Sequence, residues 1–227
     1  MDYEQAAATA PPGWRHFSID DIARLPDEVR ERELARIPPG EPEERVVRAL
    51  FWTFVYHLEP ERWDELARHE PIHPAILERL PRDIGTGLDV GAGSGRLTAH
   101  LVERCREVIA VEPSSGLRAL LGRRLPSVRV MHGWADALPV ADAACELVSA
   151  CGALGPDPGA LAELHRVATP GGWIALISPE EPEWFEAHGW SRFTAPPMAA
   201  PPHPSWIDGF FGQPDPPHEL LVTRRPL

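Results

Sequence analysis

A glycine-rich turn near the middle of the chain is the clearest candidate for chemistry. Residues 88–95 read LDVGAGSG, with glycine at three alternate positions. Glycine permits positive φ angles and lets a ligand approach the backbone closely. The backbone N–H groups at the start of a following helix can then face the ligand. The turn predicts a ligand with a nucleotide-like part, although one such motif is weak by itself.

Two carboxylates further along the chain strengthen this interpretation. Glu112 ends the second predicted strand, where a carboxylate can accept hydrogen bonds from both hydroxyls of a ribose. Each such bond to a charged acceptor contributes about 1.5–3 kcal/mol. Asp136 follows the third strand, where it can accept from an adenine amino group. Arg96 stands where the dinucleotide fingerprint requires its third glycine, which argues against a dinucleotide.

The elements that position these residues alternate between strand and helix. The hydrophobic pattern predicts strands at 86–90, 107–111, 128–132, 146–150 and 172–178, with helices at 96–104, 115–121 and 159–167 between them. Such an alternation predicts a parallel sheet with right-handed crossovers. Two further strands are predicted at 190–195 and 218–224. Before the sheet, helices are predicted at 27–37, 42–57, 60–69 and 74–80.

Four segments taken in order resemble the class I S-adenosylmethionine-dependent methyltransferases of the small-molecule, methyltransferase-11-like type: 89–95, 111–114, 136–139 and 163–172. The resemblance implies S-adenosylmethionine as cofactor. It also implies an α/β fold with a doubly wound, mostly parallel seven-stranded Rossmann-like sheet. By the same resemblance Asp89 orients the methionine amino end, Glu112 holds the ribose and Asp136 faces the adenine. The full set of expected cofactor contacts is Asp89, Gly91, Ala92, Gly93, Glu112, Pro113, Ala135, Asp136 and Ala150.

Two units are expected, an N-terminal helical extension or lid over 1–84 and a methyltransferase domain over 85–227. Within the second unit, the proline-rich segment 196–217 is predicted to form a rim loop with an apolar face. We expect this loop to shape the acceptor pocket or to form a contact in a homodimer.

The acceptor site has no obligatory signature, because methyl transfer mainly needs donor and acceptor to be aligned. A base is needed only where the acceptor loses a proton. Of the Phe, Trp and Tyr residues, only Trp134 and Trp173 lie between 86 and 180, so the flanks supply the aromatic cover. Rings in such a cover could hold the acceptor or simply pack the extension onto the sheet. The candidate substrate contacts are Trp52, Tyr56, Cys151 and Trp206, and His57 is the candidate base.

Composition narrows the classes of partner. The formal net charge of −12 disfavours a nucleic-acid substrate, and a small-molecule acceptor is expected instead. No apolar stretch reaches the roughly 18 residues of a membrane span, and no basic leader precedes the chain, which favours a cytoplasmic protein. The three cysteines match no disulfide framework or zinc spacing, so no metal is expected.

Three functions remain open from the sequence. The leading one is methyl transfer to O, N or C of a small metabolite. A protein that binds S-adenosylmethionine without turnover is the second. A nicotinamide-dependent oxidoreductase is the third, and the glycine spacing and the absence of any lysine for a Tyr-Lys pair speak against it.

Overall fold

The computed structural model of the chain describes residues 17–226. A 3₁₀ turn, Ile19–Arg24, precedes five helices that come before the sheet. These helices are α1 (Asp27–Leu34), α2 (Glu43–Ala49), α3 (Phe51–Leu58), α4 (Pro60–His69) and α5 (Pro74–Arg79). Prolines or acidic residues occupy the first turn of most of them, where a missing N–H or a negative charge is favourable.

A seven-stranded sheet follows. Its strands and the helices between them are β1 (Ile84–Val90), α6 (Thr98–Leu101), β2 (Cys105–Val111), α7 (Ser115–Arg124), β3 (Arg129–Met131), β4 (Cys145–Cys151), α8 (Pro158–Val167), β5 (Ala168–Ile177), α9 (Pro182–Ala187), β6 (Ser191–Thr194), α10 (Ser205–Phe211) and β7 (Glu219–Arg224). The strand order is β3-β2-β1-β4-β5-β7-β6. The first five strands are parallel, and β7 runs antiparallel to both β5 and β6. The predicted doubly wound, mostly parallel α/β fold is therefore confirmed.

The central strands are buried on both faces, which is why they read as almost continuous apolar runs. Leu88 and Val148 belong to the apolar layer on one side of the sheet, and Leu147 and Ala175 to the layer on the other. All four side chains are fully buried. The two layers hold the carboxyl ends of β1, β2 and β4 together at one edge, where a ligand can approach.

Two predicted helices differ from the structure, and two short helices were not predicted. The helix predicted over 42–57 is divided at Leu50, whose φ of −90° and ψ of 3° interrupt the helical geometry between α2 and α3. The helix predicted over 96–104 is limited to Thr98–Leu101. The rim segment 196–217 contains α10, and the stretch after β5 contains α9, neither of which was predicted. Both unpredicted helices are short and follow proline-rich sequence, so their helical pattern spans too few turns to show.

The apolar side of α10 packs against the N-terminal helices. Ile207, Phe210 and Phe211 are buried in one cluster with Phe17, Leu50, Phe51, Phe54 and other residues of the extension. The apolar face of the rim segment is thus covered within the chain itself. Among residues 17–226, no helix has both the length and the apolar character to cross a membrane.

Candidate functional site

The glycine turn begins directly after β1 and lies over the neighbouring strand β2. The N–H groups of Gly91 and Ala92 both donate to the carbonyl of Val111, at 2.9 and 3.1 Å. Gly91 and Gly93 have φ values of 66° and 57°, so both need the left-handed region that glycine adopts freely. A Cβ on Gly91 would lie 2.7 Å from the Cβ of Ala153. The prediction that this turn requires glycine is therefore confirmed.

Asp89, near the end of β1, is fully buried, and only one of its two carboxylate oxygens accepts a hydrogen bond from the described residues. Its Oδ2 accepts a hydrogen bond from the Thr98 hydroxyl at 2.6 Å. Its Oδ1 is buried and has no hydrogen-bond partner among the described residues. Burial first, and then the nearby charge of Glu112, raise the pKa of the Asp89 carboxyl to about 7. A buried acceptor without a donor is costly in a folded protein, so this oxygen indicates a place for a donor from a ligand.

Glu112 is held at the end of β2 by the backbone. Gly93 N–H donates to its Oε2 at 2.9 Å, and Ser114 N–H donates to its Oε1 at 2.8 Å. Burial raises the pKa of Glu112, and the two backbone bonds oppose that shift. Because a carboxylate oxygen can accept two hydrogen bonds, each oxygen retains a lone pair for a ligand hydroxyl.

A buried guanidinium lies beside these carboxylates. Arg96 Nη1 donates to the Glu70 side chain at 3.0 Å and to the Glu70 carbonyl at 3.3 Å. The same guanidinium is close to Cys151 and lies 5.9 Å from the centre of the Trp63 ring. Arg96 therefore places fixed positive charge close to Asp89, whose pKa it lowers.

These groups surround one cavity of about 410 Å³. Its size falls within the range of about 300–1,000 Å³ that is usual for small-molecule sites. Most of the predicted site residues line it, namely Trp52, Tyr56, His57, Asp89, Gly91, Ala92, Gly93, Glu112, Pro113 and Cys151. The helical extension contributes much of the remaining wall, with side chains from α1, α2, α3 and α4.

Four predicted site residues do not line this cavity. Ala150 is buried within β4, and Trp206 lies on α10 beside Phe211. Ala135 packs against one apolar layer of the sheet. Asp136 is next to the cavity residue Trp134, but its carboxylate is paired with Arg32 of α1. Its contact with adenine stays a prediction, since Arg32 and an adenine amino group would compete for the same oxygens.

His57 and Cys151 both line the cavity, and burial changes the pKa of each. Burial, followed by the charges of Arg118 and His132, lowers the pKa of His57 to about 4. The imidazole is therefore neutral at pH 7, yet it is a much weaker base than the near-neutral histidine expected from the sequence. Burial raises the pKa of Cys151, against the opposing charge of Arg96, so its thiol is not an activated nucleophile.

Aromatic side chains of the extension form one wall of the cavity. Trp52, Tyr56 and Trp63 contact one another, with ring centres 5.0–5.8 Å apart. Phe211 of α10 stacks on Trp52 at 5.7 Å and 9°. Trp63 also lies against the turn, because its Nε1 is 3.1 Å from where a Cβ on Gly93 would stand. The predicted aromatic cover is thus present, and the rim segment shapes it indirectly through Phe211.

The residues that line the cavity but were not among the predicted site residues include Trp63, Arg96 and Glu180. In the sequence, Arg96 indicated only that the third glycine of the dinucleotide-binding fingerprint is absent. Glu180 lies just beyond the carboxyl end of β5, a position that could have identified it. Trp63 belongs to the aromatic cover that the sequence predicted, but only the packing of α4 brings it over the glycine turn.

Comparisons with known proteins agree with this geometry. Residues 88–176 match the family described as methyltransferase domain. An uncharacterized methyltransferase of Mycobacterium tuberculosis is 37% identical over 114 residues, which are 48% of this chain and 47% of that protein. A demethylmenaquinone methyltransferase of Beutenbergia cavernae is 33% identical over 105 residues, or 44% of each chain. The chain thus spans about half the length of the curated relatives it matches.

Among solved structures, a SAM-dependent methyltransferase of Thermotoga maritima aligns with a TM-score of 0.52 and 20% identity. The alignment covers 78% of this chain and 98% of that chain. At this identity the comparison shows a shared fold.

Proposed function

We propose that the chain binds S-adenosylmethionine in the cavity over the glycine turn and transfers the methyl group to a small acceptor. The match of residues 88–176 to the methyltransferase domain family supports this proposal. The single observation that carries the proposal is the pair formed by Asp89 and Arg96. Asp89 offers a buried carboxylate oxygen that has no partner within residues 17–226, and Arg96 offers a largely buried guanidinium, paired with Glu70, in the same cavity. Together they complement the ammonium and carboxylate groups of an amino acid.

Other residues of the cavity fit the remaining parts of the donor. The two free lone pairs of Glu112 suit the vicinal hydroxyls of a ribose. Pro113, Leu117, His57 and Trp134 line the cavity beyond Glu112 and offer mostly flat or apolar surface for a base. The neutral state of His57 favours this role, because a neutral ring can lie against a base without a desolvated charge.

When bound, S-adenosylmethionine supplies a methyl group already activated by its sulfonium sulfur. The protein then has to align the acceptor and exclude water, which can lower a barrier by roughly 7–11 kcal/mol. Trp52, Tyr56 and Trp63 line the cavity with aromatic surface, which would limit the access of water to the reacting groups. A cavity of about 410 Å³ suits a small acceptor rather than a macromolecule.

The proposal is tested by titration calorimetry of the whole chain with S-adenosylmethionine and, separately, with NADH. We expect binding of S-adenosylmethionine alone. The Glu112→Gln variant should bind it about tenfold or more weakly, because hydrogen bonds to a charged acceptor are lost. Glu107→Gln is the matched control, since Glu107 is exposed on the same strand and outside the cavity.

Binding of NADH without S-adenosylmethionine would overturn the proposal and favour the oxidoreductase alternative. Equal losses of affinity in Glu112→Gln and Glu107→Gln would show that the assigned ribose contact is wrong. Release of S-adenosylhomocysteine in the presence of a library of small acceptors then separates a methyltransferase from a protein that only binds the donor.

A further inference from the structure

The turn after β5 carries a carboxylate at the edge of the cavity. Glu180 is exposed, lines the cavity and lies beside the carboxyl end of β4, with its Oε2 3.2 Å from where a Cβ on Gly155 would stand. Ser178 and Glu181, on either side of it, have φ values of 43° and 50°. Non-glycine residues rarely adopt this region, and strained backbone of this kind is concentrated at functional sites.

Backbone hydrogen bonds fix this turn in place. The N–H of Glu180 donates to the Leu154 carbonyl at 2.9 Å, and the N–H of Ser178 donates to the Glu219 carbonyl at 3.0 Å. The Ser178 hydroxyl accepts from the N–H groups of His218 and Glu219 at 3.2 and 3.3 Å. Strands β4 and β7 thus hold the turn from two sides, and Glu180 is positioned by the sheet.

Glu180 differs from the other carboxylates of the cavity in having no partner for its side chain within residues 17–226. Glu33 is paired with Arg36, at 3.1 Å. Glu112 accepts two backbone bonds, and Asp89 accepts one from Thr98. Once Asp89 and Glu112 engage the donor, the carboxylate of Glu180 is the one that remains available in the described part of the cavity.

Glu180 shares the cavity with the aromatic wall. Burial first, and then the carboxylates of Glu112, Glu70 and Glu180, raise the pKa of the Tyr56 hydroxyl, although Arg96 lowers it. The field of Glu180 therefore reaches Tyr56, which contacts both Trp52 and Trp63. Aromatic faces together with a carboxylate are the surroundings that favour a cationic nitrogen.

We propose that Glu180 binds the methyl acceptor and that this acceptor is a small amine held between Glu180 and the wall of Trp52, Tyr56 and Trp63. The inference rests on the proposed methyl transfer and gives it a substrate class. It identifies Glu180 as a residue that contacts the acceptor, whereas Asp89, Arg96 and Glu112 contact the donor.

The reaction at an amine is consistent with these surroundings. The lone pair of the uncharged nitrogen forms the new bond to the methyl carbon. The carbon–sulfur bond breaks, and its electron pair goes to sulfur, so the positive charge passes to nitrogen. The ammonium form that Glu180 binds first releases one proton to solvent, which reaches the exposed Glu180, because only the uncharged nitrogen carries a lone pair. The methylated product then forms as an ammonium. Glu180 and the aromatic faces stabilise the charge that develops on nitrogen, which lowers the barrier.

The test uses three probes of similar size: phenethylamine, phenethyl alcohol and hydrocinnamate. Each is titrated by calorimetry at pH 7 into the whole chain saturated with S-adenosylhomocysteine, and S-adenosylhomocysteine release is measured separately with S-adenosylmethionine. We expect phenethylamine to bind most tightly and to be methylated. Glu180→Gln should weaken its binding about tenfold or more, whereas Glu181→Gln, in the same turn, should not. Both variants should bind S-adenosylmethionine as the unchanged chain does.

Equal binding of phenethylamine by the two variants would overturn the inference. Tighter binding of the alcohol or the carboxylate than of the amine would overturn it as well. If the unchanged chain binds S-adenosylmethionine but no amine, the acceptor class is wrong and the donor site stands. If it does not bind S-adenosylmethionine, the proposed function fails, and the inference that rests on it fails too.

Discussion

Asp89 and Glu112 are carboxyl groups buried at one edge of the sheet, where the loss of their hydration lowers the stability of the fold. Burial raises the pKa of both carboxyls, to about 7 in the case of Asp89. The backbone satisfies Glu112, whereas Asp89 keeps one oxygen without a partner among the described residues. Such groups lower stability, and a ligand that supplies the missing hydrogen-bond donors recovers part of that free energy.

The raised pKa of Asp89 makes donor binding depend on pH. Asp89 changes from an ordinary 3.8 to about 7, so below pH 7 it must lose a proton before it can pair with an ammonium group. We expect the affinity for S-adenosylhomocysteine to fall by roughly tenfold between pH 7 and pH 5.5. Calorimetry in buffers of different ionisation enthalpy measures both the affinity and the proton released.

The neighbours of Asp89 fix the sign of this effect. Glu112 raises the pKa of Asp89, while Thr98 and Arg96 lower it. Because the folded state holds the Asp89 proton more tightly than the unfolded chain does, stability without ligand should decrease as the pH rises from about 4 through 7. Asp89→Asn should flatten the affinity profile, and a flat profile in the unchanged chain would contradict the assignment.

Helix α4 is attached to the glycine turn by a buried carboxylate. Asp64 is 1% exposed and accepts from Arg124 at 2.7 and 2.8 Å and from Arg68. Arg124 also donates to the carbonyl of Ser94 within the turn, at 3.0 Å. Burial would raise the pKa of Asp64, but the hydrogen bonds from Arg68, Ser94 and Arg124 together lower it. The ionised form therefore stabilises the fold above about pH 4.

Removing this charge should loosen the whole helix. We expect Asp64→Asn to lower the free energy of unfolding by about 2 kcal/mol, less than for a fully buried pair because both arginines are partly exposed. S-adenosylmethionine affinity should also decrease, since the turn loses its tie to Arg124. Denaturant titration measures the first effect and calorimetry the second. Glu61→Gln on the exposed side of α4 is the control, and equal effects of the two changes would refute the role of Asp64.

At the scale of the molecule, α1 closes the extension over the cavity through a few surface contacts. Arg32 pairs with Asp136 and lies 4.5 Å from the centre of the Trp134 ring. Glu28 accepts from the Trp134 indole N–H at 2.6 Å. Together these contacts contribute about 1–2 kcal/mol to holding α1 in place, because Arg32 and Asp136 are both partly exposed. We interpret α1 as a lid that is closed but weakly held.

Arg32→Ala should therefore shift the lid toward its open form. The Arg32 contacts alone are worth about 1 kcal/mol, and their loss corresponds to an opening about fivefold more frequent. Hydrogen exchange of the α1 amides should accelerate by that factor, while the amides of β1 and β4 remain unchanged. Arg30→Ala is the matched control, since Arg30 pairs with Asp27 within α1. Equal acceleration in both variants would mean that Arg32 does not hold the lid.

The sequence alone determined the sheet and the side of the cavity that the glycine turn forms. Strand and helix periods are local, and the glycine turn, Asp89 and Glu112 are fixed by their positions at strand ends. Parallel strands bring those ends to one edge whatever the loops do. For that reason Asp89, Gly91, Gly93 and Glu112 were all predicted and all line the cavity.

Only the tertiary structure decided the side of the cavity that the helical extension forms. Trp63 reaches the glycine turn because α4 packs there, and Phe211 stacks on Trp52 because α10 is buried against the extension. Arg32 forms an ion pair with Asp136, and burial lowers the pKa of His57. A local sequence pattern could indicate neither the ion pair nor the pKa change. These features depend on contacts between segments far apart in the chain, whose energies come from burial and charge in the folded state and not from residue spacing.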